Sequence, residues 1–300
     1  GRRAGDIVNI THLEDFLSYM KLVKNLSGNT ISAYRIDINE FFSGIGKGEN
    51  DVTTRDITRH VCELSKNGIA PASVCRKVSA IRAFYKWAKK EGIVTIDNPT
   101  DDVDLPQIPH KEPKALTDEQ VNDMLNVIEG NEFNAPRDRL IISLMIVCGM
   151  RKSELLNITL SDVDTKEMSI RIRHGKGDKE RYCYYNDAVQ ELLVDYLDNI
   201  RGRSKYAKDS EFLFISQCSG RLSRSQLSNI VDKLLTIIGA KEKGVSVHIL
   251  RKTCATGYYE MGVDIYTIKN ILDHASVTTT QRYVKPSLVK QRAAVNSRKI

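Results

Sequence analysis

The sequence predicts a mainly helical protein of two domains, with a small β-sheet in the second. Apolar residues recur at intervals of three and four through most of the chain, as on one face of an α-helix. The alternation typical of strands occurs around residues 168–185, where two short runs flank a Gly-rich turn. The length of 300 residues corresponds to about two domains of ~100 to 200 residues each.

Helical patterns open the predicted N-terminal domain. Apolar side chains share one helix face in residues 13–20 and again in residues 31–41, with a Ser-Gly-Asn break between them. Thr53 or Thr54 caps a third helix, which is expected to end after Lys66 at an Asn-Gly turn. The first third of the chain is therefore predicted to contain no strand.

A fourth helix is expected to start at Pro71 and to stop at Gly92. Its cations are Arg76, Lys77, Arg82, Lys86, Lys89 and Lys90, against the single acid Glu91. Such a run is typical of a solvated helix face. It would equally suit DNA phosphates, whose counterions it could release. Both interpretations stay open, and in the second the candidate DNA contacts are Arg76, Lys77, Arg82 and Lys86.

Prolines separate the two predicted domains. Residues 99–113 contain four prolines and three aspartates, a composition that favours an extended linker over a helix. The predicted division is a helical domain over residues 1–98 and a second domain over residues 114–300. Within the second, residues 284–300 form a basic tail or docking helix.

The second domain begins with a capped helix and a buried one. Thr117 precedes two acids that suit the first turn of a helix. The apolar run from about residue 137 to 148 predicts a buried helix that ends at Gly149. Residues 150–156 then turn into the next helix. Strands at 168–172 and 181–185 are expected to form a β-hairpin with a lysine at its tip.

Helices resume after the hairpin, from about residue 187 to 200 and from 225 to 238. The next helix carries His248 and Arg251, which are three residues apart and therefore share a face. Asp264 is the expected N-cap of a helix over residues 265–272.

Composition favours a cytoplasmic protein with an anionic partner. The net charge is +7 and the isoelectric point is near 9.0, values that suit a polyanion. The six cysteines are widely spaced and form no CxxC pair, which disfavours a zinc site and a disulfide framework. The sequence has no apolar run near the ~20 residues of a membrane span, and its N-terminus lacks the apolar stretch of a secretory signal.

Four motifs follow one another in the second domain. They are GMRKSEL at 149–155, GKGDKER at 175–181, HILRKTCAT at 248–256 and LDHASVTTTQRY at 272–283. In order and spacing the sequence resembles the tyrosine recombinases, the family of the Xer recombinases and of phage and transposon integrases. The match covers the chain from about Thr11 onward. The resemblance implies a helical SAM-like core-binding domain and a mixed α/β catalytic domain, which together form a C-shaped clamp on DNA.

The resemblance also implies site-specific DNA recombination through a covalent 3′-phosphotyrosine intermediate, with Tyr283 as nucleophile. A tyrosine pKa of ~10 means that this hydroxyl needs help in losing its proton. Arg151 and Arg251 would clamp the phosphate, because permanently charged guanidiniums suit the negative charge of a pentacoordinate transition state. His248 would act as base or phosphate donor, since histidine titrates near working pH. His274 would hydrogen-bond the phosphate or position the tyrosine.

Three further residues have implied roles in this scheme. Lys176, at the hairpin tip, would protonate the leaving 5′ oxygen. Lys179 in the same turn is the rival for that role and is also a candidate DNA contact. Glu154 lies three residues after Arg151 and would orient the active-site side chains. The scheme uses no metal and no cofactor, because the covalent bond stores the energy of the broken strand.

The partners implied are double-stranded DNA with a specific site, a homotetramer acting on two duplexes, and accessory proteins. No membrane is involved, and the expected place is the bacterial cytoplasm, in association with the nucleoid. The basic tail would dock on a neighbouring protomer. Two alternatives stay open: a relaxing enzyme like type IB topoisomerases, and a DNA-binding regulator with a lapsed active site.

Two residues depart from the family pattern. Asp273 stands where the family usually has Gly before the second histidine, and the added charge is expected to raise the proton affinity of His274 or to alter the turn. Lys252 stands where the family often has His, outside the catalytic positions. Residues 278–281 are expected to form a short helical approach that aims Tyr283.

Overall fold

The computed structural model describes residues 10–108, 115–130, 132–173, 180–274 and 276–281. The chain divides into two compact units, residues 1–111 and 112–300. The predicted fold class, mainly helical with a small sheet, is confirmed, because one three-stranded sheet accompanies twelve α-helices in the described residues. The predicted limits of the two functional domains, at residues 98 and 113, are not tested by this division and stay predictions.

The first unit contains the four predicted helices. They are α1 (Leu13–Leu22), α2 (Gly28–Ile45), α3 (Thr54–Lys66) and α4 (Pro71–Lys90). Thr53 caps α3 through a reciprocal pair of bonds with Asp56. Aromatic side chains fill the core between the helices, with Phe16 and Phe84 meeting edge to face at 5.5 Å between ring centroids.

Part of the predicted linker packs on this first unit. Val103 belongs to its apolar core, and Thr100 is fully buried. Arg82 of α4 donates to Thr100 through Nε at 3.1 Å and through Nη2 at 2.7 Å. Residues 99–105 are therefore tied to α4 by hydrogen bonds and apolar contact, which a Pro-rich composition does not predict.

The second unit holds the remaining helices and the sheet. Its helices are α5 (Asp118–Asn126), α6 (Asn134–Cys148), α7 (Lys152–Leu156), α8 (Asp187–Asp195), α9 (Arg224–Ile237), α10 (His248–Glu260), α11 (Ile265–Leu272) and α12 (Val277–Gln281). The sequence predicts that α8 runs to residue 200 as one helix. Its α-helical part instead ends at Asp195 and continues as a π turn over Tyr196–Ile200.

The sheet is antiparallel, in the order β1 (Val163–Asp164), β2 (Ser169–Ile172) and β3 (Arg181–Tyr184). Strands β2 and β3 form the predicted hairpin, with Ile170 opposite Cys183. The tip of the hairpin, residues 174–179, lies outside the described residues. The sequence does not predict strand β1, because two residues are too few for alternation to be seen.

Helix α6 lies at the centre of the second unit. Leu140, Ile141, Ile142 and Leu144 are all fully buried, although consecutive residues point in different directions around a helix. A helix that is apolar on every side belongs in a core, as the sequence predicts. Its C-cap Gly149 has φ +59°, a left-handed conformation that ends the helix and starts the turn into α7.

Across these ranges, none of the helices is long and apolar enough to cross a bilayer.

Candidate active site

The site is built where the turn after α6, the start of α10 and the end of α11 meet. Arg151 is the N-cap residue of α7, and Glu154 lies in its first turn. Glu154 accepts a hydrogen bond from the Arg151 backbone N at 2.8 Å and from its Nη1 at 2.5 Å. The short helix therefore fixes both the backbone and the side chain of Arg151 through one carboxylate.

Three arginines bind successive carbonyls at the C-terminal end of α11. Arg181 Nη1 donates to Ile271 O at 2.9 Å, Arg251 Nη2 donates to Leu272 O, and Arg151 Nη2 donates to Asp273 O at 2.6 Å. The last carbonyls of a helix lack partners within the helix and carry its negative dipole end. The arginines satisfy them and thereby position the turn that leads to His274.

Arg251 is the most buried of these cations, with 1% of its surface exposed. Besides Leu272 O, it donates through Nη1 to Gly149 O at 2.5 Å. It therefore ties the C-terminal ends of α6 and α11 together. Burying a charge is costly unless hydrogen bonds compensate it, and two carbonyls at negative helix ends supply such compensation.

Glu154 is buried between two arginines. Arg181 Nη2 donates to its Oε2 at 2.9 Å, in addition to the bonds from Arg151. Burial by itself raises the pKa of Glu154, but Arg181 and the hydrogen bonds and charge of Arg151 outweigh it, and the pKa lies below its usual range. Glu154 is thus an ionised carboxylate that holds two cations in place.

Both histidines of the site are held in the neutral form. The pKa of His248 is lowered by burial and then by the charges of Arg251, Lys252 and Arg151. Burial, followed by Arg251 and Arg151, lowers the pKa of His274 to about 4. At neutral pH His248 therefore has a ring nitrogen able to accept a proton.

His274 is anchored to the last described helix. Its Nδ1 lies 2.8 Å from Oγ1 of Thr280, and both residues are buried. Thr280 belongs to α12, the short helix expected ahead of Tyr283. The hydrogen bond therefore fixes the His274 ring against the segment that leads to the predicted nucleophile.

Asp273 adopts the left-handed conformation, with φ +50° and ψ +54°. Gly is favoured at such a position, although Asp is among the residues that tolerate it. The Asp273 carboxylate lies 2.9 Å from Nη1 of Arg151. Asp273 acts to raise the proton affinity of His274, in the expected direction, but burial and the charges of Arg251 and Arg151 outweigh it, and the pKa of His274 is lowered.

The structure brings five predicted residues together: Arg151, Glu154, His248, Arg251 and His274. Lys176, Lys179 and Tyr283 lie outside the described residues. Sequence reasoning missed Arg181, the carboxylate contact of Asp273, and Thr280 as a partner of His274. Arg181 is the last residue of the GKGDKER motif, and a cation at the start of a half-buried strand could have indicated a role in the site.

The candidate DNA contacts on α4 differ in their surroundings. Lys77 is buried and its Nζ lies 3.3 Å from Asp37 and 2.6 Å from Glu40. Arg76 also pairs with Asp37. Lys86 is exposed and has no ion pair with the described residues.

In the part of the chain that the structure describes, no group of three or more His, Cys, Asp or Glu side chains is arranged to hold a metal ion.

The fold matches solved structures of DNA recombinases and integrases. A crystal structure of XerA recombinase matches with a TM-score of 0.55 and 28% identity, over 96% of this chain and 99% of that one. The Tn1549 transposon integrase in complex with circular intermediate DNA matches with a TM-score of 0.74 and 18% identity, over 97% and 100%. A lambda integrase dimer bound to a core site gives 0.73 and 20%, over 92% and 99%.

Sequence comparison is more specific. The model of the phage integrase family matches residues 114–288, and that of the phage integrase N-terminal SAM-like domain matches residues 13–92. Tyrosine recombinase XerC of Caldanaerobacter subterraneus subsp. tengcongensis is 33% identical, over 95% of this chain and 85% of that protein. Tyrosine recombinase XerD of Halalkalibacterium halodurans is 31% identical, over 94% and 95%.

The chain therefore belongs to the phage integrase family and is a tyrosine site-specific recombinase. The topoisomerase-like and regulatory alternatives are not favoured by these comparisons.

Proposed function

We propose that this recombinase cleaves and rejoins double-stranded DNA through a phosphodiester link to Tyr283. The Tyr283 oxygen forms a bond to phosphorus, and the bond from phosphorus to the 5′ oxygen breaks. The proton of Tyr283 passes to His248, and Lys176 gives a proton to the leaving 5′ oxygen. Rejoining runs the same steps with a 5′-hydroxyl from another strand, so no external energy source is needed.

The observation that carries this proposal is that Arg151 and Arg251 both bind carbonyls at the C-terminal end of α11, close to a neutral His248. The transition state gains negative charge on the non-bridging phosphate oxygens. Cations that are already held in place stabilise such charge without reorganising. A neutral histidine can accept the tyrosine proton, whereas a protonated one cannot.

His274 acts as a positioning residue in the same scheme. Its bond to Thr280 aligns the ring beside α12, and the ring is close enough to Arg251 and Arg151 for their charges to lower its pKa. We assign it a hydrogen bond to the phosphate. Lys179 remains the alternative to Lys176 as the general acid, and Glu154 orients Arg151 and Arg181 without reacting.

The first unit supplies DNA affinity in this proposal. The exposed Lys86 on α4 is the strongest candidate for a phosphate contact, because its charge has no partner among the described residues.

Four protomers would assemble on two duplexes, with accessory proteins as further partners, in the bacterial cytoplasm at the nucleoid. The basic tail, residues 284–300, would dock on a neighbouring protomer. Its deletion from residue 286 should impair pairing of sites while leaving binding to a single site.

Covalent capture tests the reaction and identifies the DNA site in the same experiment. The protein is expressed in bacterial cells, rapid denaturation traps protein–DNA adducts, and the attached DNA is sequenced. The sequence recovered is then rebuilt as a duplex with a nick near the cleavage position, so that a short strand diffuses away after cleavage and rejoining is blocked. Accumulation of an adduct on this duplex measures single-turnover cleavage.

Tyr283→Phe is expected to abolish the adduct, because it lacks the attacking oxygen. Tyr266→Phe is the matched control, since Tyr266 is an exposed tyrosine on α11 outside the site. Tyr266→Phe should form the adduct at the wild-type rate. An adduct that persists in Tyr283→Phe would show that another residue is the nucleophile.

A further inference from the structure

We propose that Asp273 is a positioning residue that restrains Arg151, by neutralising part of the charge that the scissile phosphate would otherwise meet. The proposal rests on the role assigned to Arg151 above. The residue before His274 has a left-handed backbone conformation, and in this chain that residue carries a carboxylate beside the guanidinium proposed to bind phosphate. A turn of the same shape could be made by Gly without any charge.

The contacts of Arg151 define the effect. A guanidinium has five N–H groups. In the described residues, Nη1 donates to Glu154 at 2.5 Å and to the Asp273 carboxylate at 2.9 Å, and Nη2 donates to Asp273 O at 2.6 Å. Three of the five are thus engaged, and two of these three bonds end on one residue. A bound phosphate must use what remains or displace the Asp273 carboxylate.

The charge balance points the same way. Arg151 and Arg181 bring two positive charges, and Glu154 and Asp273 bring two negative ones, so the linked group is balanced. Removing the Asp273 charge leaves it with one excess positive charge. When a phosphate takes the place of the Asp273 carboxylate on Arg151, the attraction between that carboxylate and the guanidinium charge about 5 Å away is lost. At an effective dielectric of about 40 to 80, Coulomb's law makes this loss equivalent to roughly a 4- to 15-fold change in affinity.

The two carboxylates on Arg151 are not equivalent. The Glu154 side chain is 2% exposed and holds two arginines and a backbone N–H, so its loss would disrupt the site. The Asp273 side chain is 35% exposed and sits on a turn at the end of α11. Asp273 is therefore the more accessible of the two carboxylates.

Two substitutions remove the charge without straining the backbone. Asp273→Gly suits the left-handed turn best, and Asp273→Asn keeps a side chain of nearly the same shape with good tolerance of that conformation. Agreement between them separates the effect of charge from that of shape. Both keep the backbone carbonyl of residue 273, which is the acceptor for Nη2 of Arg151.

The first measurement uses inorganic phosphate and the DNA-free protein, followed by isothermal titration at low ionic strength. Both variants are expected to bind phosphate roughly 4- to 15-fold more tightly than the wild type. In an Arg151→Ala background the same substitutions should change the affinity little, because the charge acts through Arg151. A gain of equal size in that background would overturn the proposal, as would equal or weaker binding in both variants.

The second measurement is single-turnover adduct formation on the nicked duplex from covalent capture. Both variants should cleave faster than the wild type at subsaturating protein, by a factor in the same range. Slower cleavage in both would overturn the proposal and make Asp273 a support for Arg151. If the wild type forms no adduct with any DNA, the proposed function fails, yet the phosphate titration still decides the role of Asp273.

Discussion

Gly149 is the residue on which the geometry of the site depends most directly, and Gly149→Ala is the sharpest perturbation of it. Gly149 has φ +59°, and its carbonyl accepts the bond from the buried Arg251. A Cβ at this position would overlap Cδ2 of Leu272 and would lie 2.9 Å from Sγ of Cys254. Both approaches are closer than van der Waals contact, so the neighbours or the turn must move.

The free-energy cost of Gly149→Ala can be compared with that of a control substitution, Gly239→Ala. A non-Gly residue in the left-handed region costs about 1–2 kcal/mol. Leu272 and Cys254 are both buried, so relieving the overlap costs about 1–3 kcal/mol more, as for an overpacked core. Gly239, after the end of α9, has φ +67° with no atom within 4 Å of its Cβ position. Gly239→Ala therefore carries the backbone cost alone.

Urea unfolding of both variants, followed by far-UV circular dichroism, measures the difference. We expect Gly149→Ala to lose about 1–3 kcal/mol more than Gly239→Ala. Emission from Trp87, which lies in the first unit, identifies the transition that belongs to that unit. Gly149→Ala should also slow adduct formation by about tenfold or more, equivalent to ~1.4 kcal/mol of barrier, since Arg251 shifts with the turn. Equal stability and equal cleavage in the two variants would refute this account of the turn.

Three further predictions follow from burial and charge. The pKa of His274 is about 4 in the folded protein, against an ordinary value of 6.5, so the neutral ring contributes its full stabilisation above pH 6.5 and loses it as the pH falls toward 4. Over that window the urea midpoint of the wild type should therefore fall more steeply than that of His274→Gln. Exposed Cys62 should react quickly with iodoacetamide in the native protein, whereas Cys254, whose pKa burial raises to about 12, should react after unfolding, as peptide mass mapping would show. Lys86→Ala should weaken binding to DNA of random sequence and reduce the slope of log binding constant against log salt concentration by about one, whereas Lys77→Ala should chiefly lower the urea midpoint. The reverse pattern would mean that the DNA contacts another face of the first unit.

Local patterns are sufficient to predict most of the fold. Helix α6 is predictable because its apolar residues occupy every side, and its end is predictable because Gly149 follows directly. Thr117 and Asp264 are expected caps, and both accept backbone hydrogen bonds at the start of α5 and α11. These features depend on neighbours in sequence, and such neighbours are what periodicity and capping rules describe.

The motifs predict which residues form the site, but they do not predict its contacts. Arg151 and Asp273 are 122 residues apart in the chain, and no spacing rule relates them. The same is true of Arg181, whose partner Ile271 lies 90 residues further along. The outcome for His274 also depends on packing: the sequence places Asp273 beside it, but burial and more distant cations decide the direction of the pKa shift.

The two arginines of the proposed clamp are stabilised in different ways, and this difference bears on catalysis. Arg251 donates hydrogen bonds to the carbonyls of Gly149 and Leu272, which engage two of its N–H groups without adding a negative charge. Arg151 is held by the carboxylates of Glu154 and Asp273, which share its charge. If Arg151 is the adjustable member of the pair, substitutions at Asp273 should change the contribution of Arg151 to cleavage and leave that of Arg251 unchanged. A double-mutant cycle with Arg151→Lys and Arg251→Lys, each combined with Asp273→Asn, measures this difference: coupling of equal size to both arginines would contradict it.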